Sequence, residues 1–170
     1  MPFQLLAKVA PNKLIFLKKV KWRTYKKREY MISYPKTWSL NKLRRKKAVM
    51  LGPKPETCQN PGIATTINLV NYPLPNKEAG LEGVVKKWTA KYKKMDSVNI
   101  IEQGYVTKGD SRYYKIVFTR NYKDVRVVKF EDRYYLKGDK YYVLDFNSNL
   151  VGFEEHQIRA TQILDSFMLR

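Results

Sequence analysis

The sequence predicts an α+β domain, an antiparallel β-sheet of about six to eight strands flanked by helices. Three observations carry this. Four strand-like segments follow one another late in the chain, separated by the compact turns "KGDS" (108–111), "NYKD" (121–124) and "KGDK" (137–140). Turns this short join antiparallel neighbours, because parallel ones need a long crossover. Two further segments carry apolar residues at spacings of three and four, the pattern of helices that bury one face. Aromatics make up 14% of the 170 residues, with 13 Tyr against 7 Phe, a composition suited to half-buried pleated surfaces.

The elements follow in order. "KVKWRTY" (19–25) and "EYMISY" (29–34) read as two short strands around a "KKR" turn. In the second, Tyr30, Ile32 and Tyr34 alternate with Met31 and Ser33, which gives the strand two different faces. Pro35 ends it, since proline has no N–H for a ladder. "AVMLG" (48–52) and "ATTINLVNY" (64–72) are the next strands, joined by a loop rich in Pro and Asn that holds Cys58. From 79 to 95 the period changes. Leu81, Val84, Val85, Trp88, Tyr92 and Met95 form one helical stripe, with lysines on the other faces. The strands "VNIIEQGYVT", "SRYYKIVFTR", "DVRVVKFED" and "KYYVLDFNS" come next, and a second helix over 153–168 closes the chain. Its stripe is Phe153, His156, Ala160, Ile163, Leu164 and Phe167. Trp88, Ile163 and Phe167 are expected to be buried. Residues 1–19 form a basic N-terminal extension, and 20–170 a single domain.

Several function classes lose support. The longest uncharged run, from Cys58 up to Lys77, is broken by three prolines and falls short as a membrane span of about 20 apolar residues. One cysteine allows no internal disulfide, and one histidine, His156, supplies no cluster for a metal. Cys58 has no neighbouring base to activate it. "GLEGVV" (80–85) lacks the Lys-Ser/Thr of a phosphate-binding loop. Glu131 and Asp132 are adjacent, so in a strand they face opposite ways and do not converge as an acid–base pair. The inventory points to no enzyme, no catalytic residue, no metal, no cofactor and no small-molecule substrate. The N-terminus has no recognisable export signal, because Lys8, Pro11 and Lys13 interrupt its apolar residues.

Charge is the functional signal. The formal net charge is +19, and residues 1–50 hold fifteen of the Lys and Arg but one acid, Glu29. Such charge runs are read either as a solvated face or as a patch for an anionic partner. The candidate contacts are Lys26, Lys27 and Arg28, and the cluster Lys42, Arg44, Arg45, Lys46 and Lys47. The expected partner is a protein or protein complex with an acidic surface. The alternatives are an anionic membrane surface, where each basic residue contributes about 1 kcal/mol, and nucleic acid, with Trp22, Tyr25, Tyr30 and Trp38 as stacking rings.

Three segments carry a family resemblance: "YMISYPKTW" (30–38), "YYVLDF" (141–146) and "ILDSF" (163–167). With the order of elements, they resemble the superfamily that groups the PsbP extrinsic proteins of photosystem II, the Ran-binding Mog proteins and DcrB-like bacterial lipoproteins. The resemblance covers roughly residues 20–168. It implies a PsbP-like α/β/α sandwich and a non-catalytic accessory or binding role. It also implies a cell-envelope or other extracytoplasmic setting, whereas a chain complete as given would be cytoplasmic. No residue set carries over, since members of the superfamily use different surfaces, and there is no lipobox cysteine near the start. Within this fold type Trp38 is expected to pack in the core rather than face a ligand.

Overall fold

A computed structural model describes residues 20–43, 48–57, 64–75, 77–122 and 126–170. The N-terminal extension, the loop with Cys58 and the second half of the "NYKD" turn lie outside them.

The chain begins with β1 (Trp22–Lys26) and β2 (Tyr30–Pro35), an antiparallel pair. After a turn over 36–37 come β3 (Trp38–Leu43), β4 (Ala48–Pro53) and β5 (Thr66–Pro73). Helix α1 (Gly80–Lys93) leads into the meander β6 (Val98–Lys108), β7 (Ser111–Tyr122), β8 (Arg126–Lys137) and β9 (Lys140–Asn149). Helix α2 (Leu150–Asp165) and a two-residue strand β10 (Met168–Leu169) follow. All strand pairs are antiparallel.

The expected sheet is present with seven strands, in the order β3-β4-β5-β9-β8-β7-β6. A second, three-stranded sheet, β1-β2-β10, stands apart from it. Two hairpins close with Gly-Asp loops, where Gly109 and Gly138 take φ of +57° and +60°. That left-handed backbone is available to glycine at little cost, and it explains why "KGD" occurs twice.

The helices flank the large sheet as expected. α1 packs against β6 and β8 on one face, and α2 against β8, β9 and β2 on the other. Side chains on β8 therefore alternate between two cores. Tyr134 and Phe130 belong to the α1 side with Val84, Val85, Ile116 and Phe118. Tyr135 belongs to the α2 side with Ile163, Leu164 and Phe167.

Three expectations need correction. Trp88 is half-buried rather than buried, because its ring sits at the edge of the α1 layer under the Lys91 ammonium, 4.7 Å from the ring centre. α2 ends at Asp165 rather than 168. Ser166 caps it, Phe167 turns into the core between Tyr30 and Tyr135, and Met168–Leu169 pair with β2. The helix also starts earlier, at Leu150, because the Asn149 side chain accepts a hydrogen bond from Gly152 N at 2.8 Å and caps the first turn.

Candidate partner-binding groove

Where the small sheet meets the large one, an open groove of about 680 Å³ runs over Tyr25, Lys27, Glu29, Lys42 and Lys140. Strand geometry builds it. Tyr25 is the inward residue of β1, and its ring meets Tyr30 with centroids 6.3 Å apart. The β1–β2 turn is closed by a hydrogen bond from Lys27 N to Tyr30 O, which holds Lys27 at the groove's rim. Lys42, near the end of β3, lays its ammonium 5.3 Å from the Tyr25 ring centre, and Lys27 lies 5.8 Å from that of Tyr30. These cation–π contacts hold long side chains over the groove at little cost in hydration.

Glu29, the single acid of the first fifty residues, ties the groove together. One carboxylate oxygen accepts from Lys140 Nζ at the β8–β9 hairpin, and the other from the Tyr142 hydroxyl at 3.1 Å. The hydrogen bond from Lys140 holds the Glu29 carboxyl below its ordinary range, and the same contact raises Lys140. Burial, with Glu29 beside it, pushes the Tyr142 hydroxyl up to about 12. One lysine is thus neutralised. Lys27 and Lys42 form no ion pair among the described residues.

Of the predicted contacts, Lys27 and Lys42 come together in this groove, while Lys26 and Arg28 are exposed on its flank. Arg44, Arg45, Lys46 and Lys47 lie outside the described residues. The chain enters that segment from Leu43 and leaves it at Ala48, and both line the groove. Lys140 went unrecognised as a groove residue in the sequence, where Tyr25 was marked only as a stacking ring for nucleic acid. Lys140 is 111 residues from its partner, and the one available signal was a lone acid in a basic third.

The other residues singled out in the sequence have structural surroundings. Trp38 is 3% exposed and meets His156 edge-on, with ring centroids 6.1 Å apart. Glu131 and Asp132 face opposite cores: Glu131 accepts from Arg133, and Asp132 from two tyrosines.

The solution structure of cyanobacterial PsbP (CyanoP) from Synechocystis sp. PCC 6803 superposes with a TM-score of 0.61 at 11% identity, over 97% of this chain and 99% of that one. The chain has a PsbP-like fold. The same PsbP-like arrangement is shared with LpqN, involved in cell envelope biogenesis of Mycobacterium tuberculosis, at a TM-score of 0.53 and 10% identity over 91% and 87% of the two chains. A crystal structure from Bacteroides thetaiotaomicron VPI-5482 matches at 0.51 and 10% identity, and there the PsbP-like match spans 83% of this chain and 45% of the other. No protein-family model and no curated protein matches the sequence. At these identities the likeness is one of fold, and the groove residues are this chain's own.

Proposed function

We propose that the chain is a non-catalytic accessory domain that docks on an acidic surface of a protein partner or membrane-associated complex. The observation that carries this reading is the convergence of Lys27 and Lys42 on one open groove, flanked by Lys26 and Arg28. Two ammonium groups without an ion pair among the described residues, held over tyrosine rings, form a preorganised anion-attracting surface, which raises association rates with acidic partners. The chemistry of the core is consistent with a binding role, because the buried acids Glu131 and Asp132 are engaged by Arg133 and by tyrosines. LpqN, which shares the fold, is involved in cell envelope biogenesis, and an envelope setting for this chain follows that example. Of the four rings considered for stacking on nucleic acid, Tyr30 and Trp38 are 1% and 3% exposed, which leaves Trp22 and the half-buried Tyr25 for that role.

The test is capture from a membrane fraction by the immobilised chain and by a Lys27→Glu/Lys42→Glu variant, at low and high salt. Parallel arms offer single-stranded RNA and acidic liposomes. The expected result is an acidic protein captured by the parent, captured more slowly by the variant, with the deficit shrinking as salt rises. Equal capture at low salt, or preferential retention of RNA or liposomes, would overturn the reading.

A further inference from the structure

A second cavity, of about 330 Å³, lies on the opposite side of the large sheet, under α1. Its volume is at the lower end of small-ligand pockets, which run to about 300–1,000 Å³. Its floor includes Phe118 and Phe130, stacked at 3° with centroids 4.7 Å apart, and Trp88 and Tyr92 of α1 form a wall.

Asp132 and Asp145 line one part of the cavity and Arg120 another, and Lys91 lines it as well, with its ammonium 4.7 Å from the Trp88 ring centre. Asp132 of β8 and Asp145 of β9 are register partners on the same face. Asp132 accepts from the hydroxyls of Tyr92 and Tyr134 at 3.0 and 2.9 Å, and Asp145 from the Asn147 amide at 2.9 Å. Neither forms an ion pair among the described residues. Burial, and for Asp132 also the neighbouring Asp145, raises both carboxyls above their ordinary range, the expected result for two acids without a cation. Toward the other end lies Arg120 of β7. Its Nε is buried and has no hydrogen-bond partner among the described residues, and its guanidinium lies 4.7 Å from the Tyr122 ring centre.

A buried donor without an acceptor carries its full desolvation cost. Here it shares a cavity with an acid pair that it does not reach. Arg120 is opposite Val128, four residues before Asp132, a separation of about 13 Å along the strands at about 3.3 Å per residue. The long arginine side chain covers part of that span, and the phenylalanine floor lies in the remainder. An α-amino acid, whose charges are adjacent, does not bridge it. A molecule with several methylenes between its charges does.

We propose that this cavity binds an ω-amino carboxylate, with its ammonium at Asp132 and Asp145, its methylenes over Phe118 and Phe130, and its carboxylate at Arg120. The carboxyl pair favours the cationic end, and the apolar floor favours the stem. Free ω-amino acids and a lysine at a peptide C-terminus share this chemistry.

The test is calorimetric titration of the full chain with ε-aminocaproate, and with hexylamine and hexanoate as analogues carrying one charge each. Saturable binding of ε-aminocaproate is expected, with each analogue weaker by about tenfold or more. Arg120→Gln should remove most of the advantage over hexylamine, and Asp145→Asn most of the advantage over hexanoate, with both variants checked by thermal unfolding. If Asp145→Asn fails to fold, the analogue series and Arg120→Gln decide the matter. Nα-acetyl-lysine separates the sources: tighter binding than ε-aminocaproate assigns the site to peptide C-termini, and weaker binding to free ω-amino acids. No saturable heat, equal affinity for hexylamine and ε-aminocaproate, or no effect of Arg120→Gln would overturn the proposal.

Discussion

Arg133 donates from its guanidinium to Asp165 at 2.7 Å, joining the middle of β8 to the last residue of α2. The same guanidinium donates from Nε to Glu131 at 2.7 Å and lies over the Tyr113 ring. Lys108, from the end of β6, also reaches Asp165. Arg133 is 4% exposed, so this is an ion network in the α2 layer rather than surface decoration.

Removing Arg133 should be costly. Arg133→Met leaves Glu131 as a buried charge without its partner, a loss of about 3–5 kcal/mol. Denaturant unfolding measures it. A second substitution, Glu131→Met, should recover much of the loss, because the stranded charge goes with it. A single variant as stable as the parent would show that water reaches Glu131.

Asp165 on the one hand, and Asp132 and Asp145 on the other, should give stability two opposite dependences on pH. Burial raises the Asp165 carboxyl, but Lys108 and Arg133 outweigh it and hold the group below its ordinary value of 3.8. Its contribution is therefore present above that value and lost as pH falls through the lower folded one. Asp132 and Asp145 are raised, so their contribution is full below 3.8 and declines as pH rises through the folded values. Asp165→Asn should lower stability at neutral pH and flatten the acid limb, while Asp145→Asn should flatten the decline on the other side. Melting temperatures across the pH range check both, and a parent-like profile in either variant contradicts its assignment.

Trp38→Ala should behave as a core truncation. The ring is nearly fully buried and packs edge-on against His156, so its loss is expected to cost about 3–5 kcal/mol. A variant that melts like the parent but loses a partner would reassign the opening aromatic segment to recognition.

Much of the fold was legible because it is local. The α1 stripe and the four-strand meander follow from residue spacing and from turns whose glycines need positive φ. What escaped depends on distant partners. β3 was hidden because "WSLNKL" is half polar and follows a proline, and it is a strand because β4 pairs with it from Pro53 to Ala48. Met168 continued a helical pattern in the sequence, and pairing with β2 took it out of that pattern. The groove was half legible. Lys27 and Lys42 stand out by charge, but Lys140 joins them through a contact spanning 111 residues that no local pattern encodes. The cavity under α1 was passed over for a related reason: a carboxyl pair made by cross-strand register has no signature in either strand alone.

The pairing of β10 with β2 bears on how the chain is made. Ser33 N donates to Ser166 Oγ across 133 residues, and Tyr30 packs on Phe167. During synthesis the first hairpin emerges well before the residues that pair with one of its edges and pack on Tyr30, since Ser33 and Ser166 are 133 residues apart. Until residue 169 clears the ribosome, Tyr30 and Ile32 lack their cover, and an exposed strand edge with apolar side chains invites wrong pairing. Domain completion is therefore a late event, and a ribosome stalled while translating α2 would present a basic, sticky hairpin for a chaperone to hold.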